Sequence, residues 1–591
     1  MNHRHGIALG IVLLALAPWV LPESLVTILN YTGLFSLVAL GLVLLTGIGG
    51  MTSFGQAAFV GISAYTSAIL CNSWGWSPWL SLWVGLAFVV LTALILGALT
   101  LRLAGHYLPL STIAWGLSLY YLAGNLKLLG GHTGLSGITS IGFFGLSIDT
   151  GRRFTYLVWV IVLLAIWAIH NLLASRLGRS IRCLRGGRTM AAAMGVNVAR
   201  TKLLVFVLAA LLAGVSGWLY VHFQRFVNPT PFGLTYGIEY LFMTVLGGAG
   251  YLGGAILGAG IITLLREWLV EYLPVLIGQQ GNYETLVLAV LIIFTLHRAP
   301  DGLWPRLAQL WGPRERKSHS QNHTAAALPL PQRGKHPERG TTVLQLTRAT
   351  KRFGGLVAVN DVSFEVRAGE ILALIGPNGA GKSTTFNLLS GVSPATSGQV
   401  NFLGQDITQM ESHQIAKLGM SRSFQHVQLL PQLTVLENVA IGAHLRGSAG
   451  LAKAMLHLER GEEQGILQEA QRHLNRVGLG AQAHTLAGNL ALGDQRILEI
   501  ARALCADPCL LLLDEPAAGL RLQEKQALAK TLQQLRGEGL SILLVEHDME
   551  FVMDLVDRIV VMEFGEKIAQ GLPAEIQSHP AVIEAYLGSV E

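Results

Sequence analysis

The sequence predicts a polytopic α-helical membrane domain followed by an α/β P-loop NTPase domain. Three observations carry this. Long apolar runs recur through the first half, and a polar, proline-rich stretch ends them. Beyond it, a phosphate-loop pattern sits between an apolar strand and a helix-forming segment. The expected limits are 1–311 for the membrane domain, 312–341 for a disordered linker and 342–591 for the nucleotide-binding domain. Of the 591 residues, 51% are hydrophobic and 13% charged. That charge content is about half of what soluble domains carry, which points to lipid as the surrounding medium.

The clearest apolar runs are Leu25–Gly47, Trp79–Leu101, Phe154–Ala174, Leu203–Val221 and Tyr240–Leu265. Each is near the roughly 20 residues that cross a bilayer as a helix. Weaker candidates are Ile7–Leu21, Gln56–Cys71, Tyr107–Leu126 and Leu273–His297. One buried core helix explains one such run, not a series. The basic start at Arg4 with a short apolar run is like a signal peptide. A small-residue cleavage site is missing, because Pro18-Trp19-Val20-Leu21-Pro22 follows, so a retained first span is expected.

Arg176, Arg179, Arg182, Arg185, Arg188, Arg200 and Lys202 crowd the segment Ser175–Lys202, which places it in the cytoplasm. Much of the net charge of +6 thus lies in one loop and the linker, a membrane-protein pattern that argues against a nucleic-acid partner. Six candidate spans precede the loop, which puts the N-terminus inside. Three follow it, an odd number, although the nucleotide-binding domain must also lie inside. One run must therefore split or fail to cross. The stretch Leu246-Gly247-Gly248-Ala249-Gly250-Tyr251-Leu252-Gly253-Gly254 is the expected break, since glycine lets backbones turn and helices approach.

Glycines also cluster at Gly47-Ile48-Gly49-Gly50 and Gly130-Gly131-His132-Thr133-Gly134. Tight helix packing or a loop accounts for them; irregular backbone lining a solute path is the functional alternative. His170, His222, Arg225 and Glu239 are ionisable residues in or near spans. Glu239 opens an apolar run, where an interfacial position explains it equally well. Cys71, Cys183, Cys505 and Cys509 make no metal-ligand pattern and read as small core residues. The linker, polar and basic with Leu-Pro-Leu-Pro, has no apolar period, so it reads as a disordered tether reaching roughly 30 Å.

In the second half, Ile371–Ile375 reads as a buried strand leading into Gly376-Pro377-Asn378-Gly379-Ala380-Gly381-Lys382-Ser383-Thr384. The glycines let backbone N–H groups curl around phosphate oxygens at a helix N-terminus. Lys382 is placed to reach the β- and γ-phosphates of ATP, and the Ser383 hydroxyl to ligate Mg²⁺. A second apolar strand, Leu510–Leu513, ends in Asp514-Glu515-Pro516. Asp514 there holds the metal directly or through water, and Glu515 polarises the attacking water. A third strand, Ser541–Val545, ends in Glu546-His547-Asp548, and His547 is placed to hold the γ-phosphate and water. Phe353, before the first strand, is an aromatic able to stack on adenine.

With Ser421-Arg422-Ser423-Phe424-Gln425 and Leu490-Ala491-Leu492-Gly493-Asp494-Gln495-Arg496, these motifs resemble the ATP-binding cassette (ABC) family over about Val343 to Glu591. The resemblance implies that Gln425 contacts Mg²⁺ and the permease, and that Gly493 closes over the ATP of a partner subunit. The signature departs from its common form: Ala491 replaces a serine, Leu492 a glycine and Asp494 a glutamine. That form, with Lys351-Arg352-Phe353-Gly354-Gly355, Asp514 to Leu520 and the closing Ala585-Tyr586-Leu587-Gly588, is similar to the first ATPase subunit of branched-chain amino-acid importers.

The membrane half resembles a permease of the same importers. The resemblance rests on Gly50-Met51-Thr52-Ser53-Phe54-Gly55-Gln56-Ala57-Ala58-Phe59, Ser175-Arg176-Leu177-Gly178-Arg179, Met194-Gly195-Val196-Asn197 and Leu246-Gly247-Gly248. Arg185–Gly195 sits where that family has a coupling helix. Where the family usually has acids, this chain has Gly186, Gly187 and Arg188, leaving altered charge or apolar Met190, Ala191 and Met194 to carry the contact. The resemblance implies a fused permease and ATPase in a bacterial inner membrane. It also implies a second permease, a second ATPase or another copy of this chain, and a periplasmic solute-binding protein. Branched-chain amino acids are the expected cargo, with urea or short amides as the alternative. An exporter is disfavoured by the short loop between Ala174 and Thr201. An ATP-gated channel is the rival of a different class.

Overall fold

The computed structural model describes residues 3–101, 107–143, 145–277, 283–310, 330–331 and 337–587. The predicted linker lies outside the described residues except for 330–331 and 337–341. The chain forms two compact units: Met1–Asn171 with Ala199–Lys317, and Leu172–Val198 with Ser318–Glu591.

The first unit is helical. Its helices are α1 (His3–Val20), α2 (Glu23–Leu42), α3 (Gln56–Trp74), α4 (Pro78–Thr100), α5 (Tyr107–Asn125) and α6 (Gly151–Ala174). Two short helices of the second unit, α7 (Arg176–Gly186) and α8 (Arg188–Ala193), come next. The first unit then resumes with α9 (Val198–Gln224), α10 (Leu234–Gly247), α11 (Leu252–Ile277), α12 (Tyr283–Arg298) and α13 (Trp304–Leu310). Among the described residues, Glu23–Ile48, Pro78–Thr100, Gly151–Ala174, Val198–Gln224 and Leu252–Pro274 are long and apolar enough to cross a membrane. Short strands trim the loops: β1 (Leu135–Ser136) pairs with β4 (Phe226–Val227), and β2 (Ile141–Phe143) with β3 (Leu146–Ile148). Beyond its first turns, from Thr32 to Leu42, helix α2 is buried on every side, and it packs on α10 and α11. It closes in a π-helical turn, Val43–Ile48, at the first glycine cluster.

The long apolar run Tyr240–Leu265 is two helices. Gly248, at φ +118, turns the chain between α10 and α11. The two helices then pack backbone to backbone: a Cβ on Gly258 would lie 1.7 Å from the Met243 carbonyl oxygen. After the basic segment the described residues form α9 to α13, of which α9 and α11 are long and apolar enough to cross a membrane. The Leu303 N–H donates to the Leu246 carbonyl at 2.9 Å, so the chain after α12 returns to the level where α10 ends.

The second unit holds two sheets. An antiparallel sheet runs β6 (Leu356–Arg367), β5 (Thr342–Phe353), β8 (Ser397–Phe402) and β9 (Gln405–Asp406). The main sheet runs β10 (Met420–Arg422), β11 (Leu510–Asp514), β12 (Ser541–Val545), β7 (Ile371–Ile375), β13 (Arg558–Glu563) and β14 (Glu566–Gly571). It is parallel except for β14. Strands β7, β11 and β12 are buried at every residue, which explains why they read as unbroken apolar runs. Helices α14 (Lys382–Leu389), α15 (Ser412–Leu418), α16 (Val435–Gly442), α17 (Leu451–Met455), α18 (Arg460–Arg476), α19 (Leu492–Leu504) and α20 (Leu522–Gly537) complete what the site needs.

Candidate functional site

Asp514, Val545 and Leu374 stand in one row across β11, β12 and β7. The three segments that follow these strands therefore emerge at one edge of the sheet. They are the loop beginning at Gly376, the pair Asp514-Glu515, and Glu546-His547. Ligand sites of open parallel sheets form at this carboxyl edge.

The loop wraps tightly into α14. Gly381, at φ +92, is its last residue, and a Cβ there would lie 2.4 Å from the Ala358 carbonyl oxygen. A side chain at this point would collide with that backbone, so the turn into α14 requires glycine. Lys382 Nζ donates to the loop's own carbonyls, Gly376 at 2.6 Å and Pro377 at 2.9 Å. Burial pushes its ammonium below the usual lysine range, against the pull of Glu515 and Asp514. Ser383 is exposed and Thr384 half-buried in the first turn of α14.

Asp514 is buried. Its Oδ2 accepts from Arg422 at 3.4 Å, and its Oδ1 has no hydrogen-bond partner among the described residues. Burial pushes this carboxyl up, although Arg422 beside it pulls the other way. A desolvated carboxylate oxygen left unpaired at the phosphate edge fits a divalent cation. Glu515 has φ +48, a left-handed conformation that its own N–H to Val545 O (2.9 Å) and Arg496 to its carbonyl (2.9 Å) hold in place. Gln425 Nε2 donates to Glu515 Oε1 at 3.2 Å, so two of the predicted catalytic residues meet. His547 follows at the same edge with an exposed ring; its N–H donates to Glu546 Oε2 at 3.1 Å.

Phe353 ends β5 with its ring half exposed and the Lys351 ammonium 5.1 Å from its centroid. Gly493 lies in the first turn of α19, where a Cβ would meet the Glu524 carboxylate at 3.1 Å. Ala491 caps that helix without a side-chain hydrogen bond.

Three supports escape the motif reading. Arg422 also donates to Asn387 Oδ1 (2.8 Å) and Ser390 Oγ (2.7 Å), tying α14 to the Asp514 strand. Glu546, fully buried, accepts the Ala517 N–H at 2.7 Å and so fixes the turn after Glu515. Glu499 Oε1 accepts from the Gln428 N–H (2.8 Å) while Arg502 donates to the Gln428 carbonyl (2.6 Å), anchoring the Gln425 segment on α19. The signal available for each is a charged residue next to or within an apolar element.

The Gln425 segment continues into the surface that receives α7 and α8. Cys183, Met190, Ala191, Met194 and Val196 share an apolar cluster with Phe424, Leu430, Leu433 and Ile441. The glycines standing in place of the usual acids fit here: a Cβ on Gly186 would meet Leu430 Cδ2 at 2.6 Å, and Gly187 turns at φ +123. Arg179 forms a two-pronged ion pair with Glu463, one arm at 3.0 Å. Arg176 donates to the carbonyls of His444 (2.7 Å) and Ala449 (2.9 Å). Burial first, then Arg176 and Arg179, push His444 down to about 3, so it stays neutral against these cations.

The base of α18 adds a pH dependence. Glu469 is held down to about 2, against an ordinary 4.5, by His473 first and then by Arg446. A carboxyl lowered on folding stabilises the fold above its unfolded value and loses that contribution as pH falls. Stability of the second unit should therefore decline between pH 4.5 and about 2, and Glu469→Gln should flatten this limb in a thermal-unfolding series.

Known families match both halves. Residues 24–296 match the branched-chain amino acid transport system permease component. Residues 359–518 match the ABC transporter family, and 566–591 the branched-chain amino acid ATP-binding cassette transporter family. The high-affinity branched-chain amino acid transport ATP-binding protein LivG of Salmonella typhimurium is 45% identical over 240 residues, 40% of this chain and 94% of that protein. LivG of Escherichia coli is 43% identical over 42% of this chain and 98% of its own length. BraF of Pseudomonas aeruginosa is 41% identical over 42% of this chain and 98% of its own. The chain belongs to the branched-chain amino acid family of ABC transporters, with a permease component and an ATP-hydrolysing cassette in one polypeptide.

Proposed function

We propose that this chain drives the import of branched-chain amino acids across a bacterial inner membrane at the expense of ATP. The observation that carries the reading is the shared edge of β7, β11 and β12, in a unit that also holds the permease-derived helices α7 and α8. The amides of Gly376–Gly381 and the start of α14 take the phosphates, with Ser383 and Thr384 in its first turn. Lys382 leaves the Gly376 and Pro377 carbonyls for phosphate oxygens, a trade of weak acceptors for charged ones. Phe353 stacks on the adenine.

Ser383 and Asp514, with Gln425, would hold Mg²⁺, which would supply neutralisation of phosphate charge. Glu515 accepts a proton as water attacks the γ-phosphorus, the bond to the β-phosphate oxygen breaks, and ADP and phosphate result. Gln425 positions the Glu515 carboxylate, and His547 holds the γ-phosphate and the water. The Gln425 segment touches α7 and α8 through Phe424 and Leu430, so a change at the γ-phosphate is felt where the permease enters this unit.

Family membership implies partner subunits. The assembly proposed has a second permease and a second ATPase, or a second copy of this chain, and a periplasmic solute-binding protein. Gly493 of one cassette then faces the Lys382 loop of the other, using backbone N–H groups where Ala491 offers no hydroxyl. Uptake by cells expressing the chain with these partners tests the cargo. Labelled leucine, isoleucine and valine should accumulate, and labelled urea or acetamide should not. Urea accumulation without leucine would move the cargo to small amides.

A further inference from the structure

One charged pair inside the membrane half has no part in the nucleotide chemistry. Arg266 on α11 meets Glu239 on α10 at 3.1 Å and also donates to the Tyr236 hydroxyl at 3.2 Å, with its guanidinium 5.0 Å from the Tyr236 ring centroid. Arg266 falls within Leu252–Pro274, a helical stretch long and apolar enough to cross a membrane. Ionisable groups within such a stretch are expensive and mark solute or ion paths.

Arg266 borders two cavities, and Glu239 one of them. One, of about 290 Å³, is lined by Tyr31, Phe35, Tyr220, Phe232, Tyr240 and Thr263, together with Tyr236, Arg266 and the acid Glu267. The other, of about 410 Å³, holds Glu239, Tyr120, Thr235 and Leu288, again with Tyr236 and Arg266. Tyr236 and Arg266 thus form a wall common to both. Thr263 is buried against the first cavity, and its hydroxyl has no hydrogen-bond partner among the described residues. A buried polar atom left this way beside a cavity points to something that enters it.

We propose that Glu239 and Arg266 bind the two charged ends of an α-amino acid in transit, and that the aromatic cavity takes its side chain. This rests on the import reading above and names the solute site within it. The chemistry matches in pairs. A guanidinium donates two parallel N–H bonds to a carboxylate, and a carboxylate accepts from an ammonium. An entering zwitterion splits the Arg266–Glu239 pair and replaces one ion pair by two. When the solute leaves, the pair re-forms and restores the empty state. Such a site binds well enough to admit solute and weakly enough to release it, as a pathway requires. A neutral solute such as urea lacks both ends, and an organic acid or amine satisfies only one side. A mere lock between α10 and α11 would be sealed in apolar surroundings. Here Arg266 keeps 33% of its side chain exposed and both cavities reach it.

Cysteine accessibility tests this in the full chain with its partner subunits. Thr235 is exposed in the second cavity, whereas Cys71, Cys183, Cys505 and Cys509 are all buried, so Thr235→Cys supplies one reactive thiol. Leucine should slow its reaction with a small polar thiol reagent several-fold. Leucinol, without the carboxylate, and 4-methylpentanoate, without the ammonium, should not. Adding Glu239→Gln or Arg266→Gln should abolish the protection. A rate indifferent to leucine, in membranes where the wild-type chain accumulates labelled leucine, would overturn the site and leave the import reading standing. Protection by leucinol equal to that by leucine would also overturn it. A wild-type chain that accumulates no leucine would overturn both.

Discussion

Glu515→Gln should retain ATP binding, lower steady ATP turnover by about a hundredfold or more, and reduce leucine uptake to background. The amide keeps the size of the side chain and can still meet Gln425, so the loop, α14 and the Arg422 brace stay in place. What it loses is the ability to accept a proton from water. The left-handed backbone at Glu515 is held by Val545 and Arg496 through main-chain atoms, which the substitution leaves alone. Binding and turnover should therefore separate: a fluorescent nucleotide should titrate as in the wild type while phosphate release stops. Near-normal turnover by Glu515→Gln would remove this residue from the chemistry and pass the role to His547.

Arg179→Ala should have the largest structural effect, about 3–5 kcal/mol lost from the attachment of α7, because it leaves Glu463, only 15% exposed, without its partner. Arg179 is almost wholly enclosed, and both its arms reach the Glu463 carboxylate. The apolar cluster around Met190 and Leu430 depends on α7 to hold α8 in place. Nucleotide should still be hydrolysed, since no residue of the phosphate edge touches this pair, but uptake per ATP should collapse. Arg179→Lys should recover only part, because an ammonium cannot make the two-pronged contact. Combining Arg179→Ala with Glu463→Ala should restore some stability by removing the orphaned charge. An unchanged unfolding midpoint and an unchanged ratio of leucine to ATP in Arg179→Ala would show that the pair is dispensable.

The nucleotide edge was the most legible part of the sequence. Its residues lie in short contiguous motifs, each following a strand, so local pattern and tertiary position coincide. The break at Gly248 was legible for a related reason: four consecutive glycine or alanine positions can neither continue a lipid-facing helix firmly nor keep two helices apart. The supports of the site were less so. Glu546 braces Ala517 across 29 residues, and Arg422 meets Asp514 across 92, contacts that only the strand order creates. Membership of Leu172–Val198 in the second unit also depends on tertiary packing, since basic composition places the segment in the cytoplasm but does not name what it touches. Glu239 illustrates the limit within the membrane half. Read along the chain it is an interfacial acid, and only the α10–α11 turn brings it to Arg266, 27 residues away.

The central claim is that nucleotide hydrolysis on the cassette drives solute through the permease of the same chain. Proteoliposomes holding the full assembly, with the solute-binding protein and labelled leucine on the opposite side from the cassettes, test it most directly. Leucine should cross to the cassette side against its gradient only when Mg²⁺ and ATP are present there, and Glu515→Gln should abolish the accumulation. Leucine that merely equilibrates, at the same rate with or without hydrolysable ATP, would contradict the account and leave a gated channel in its place.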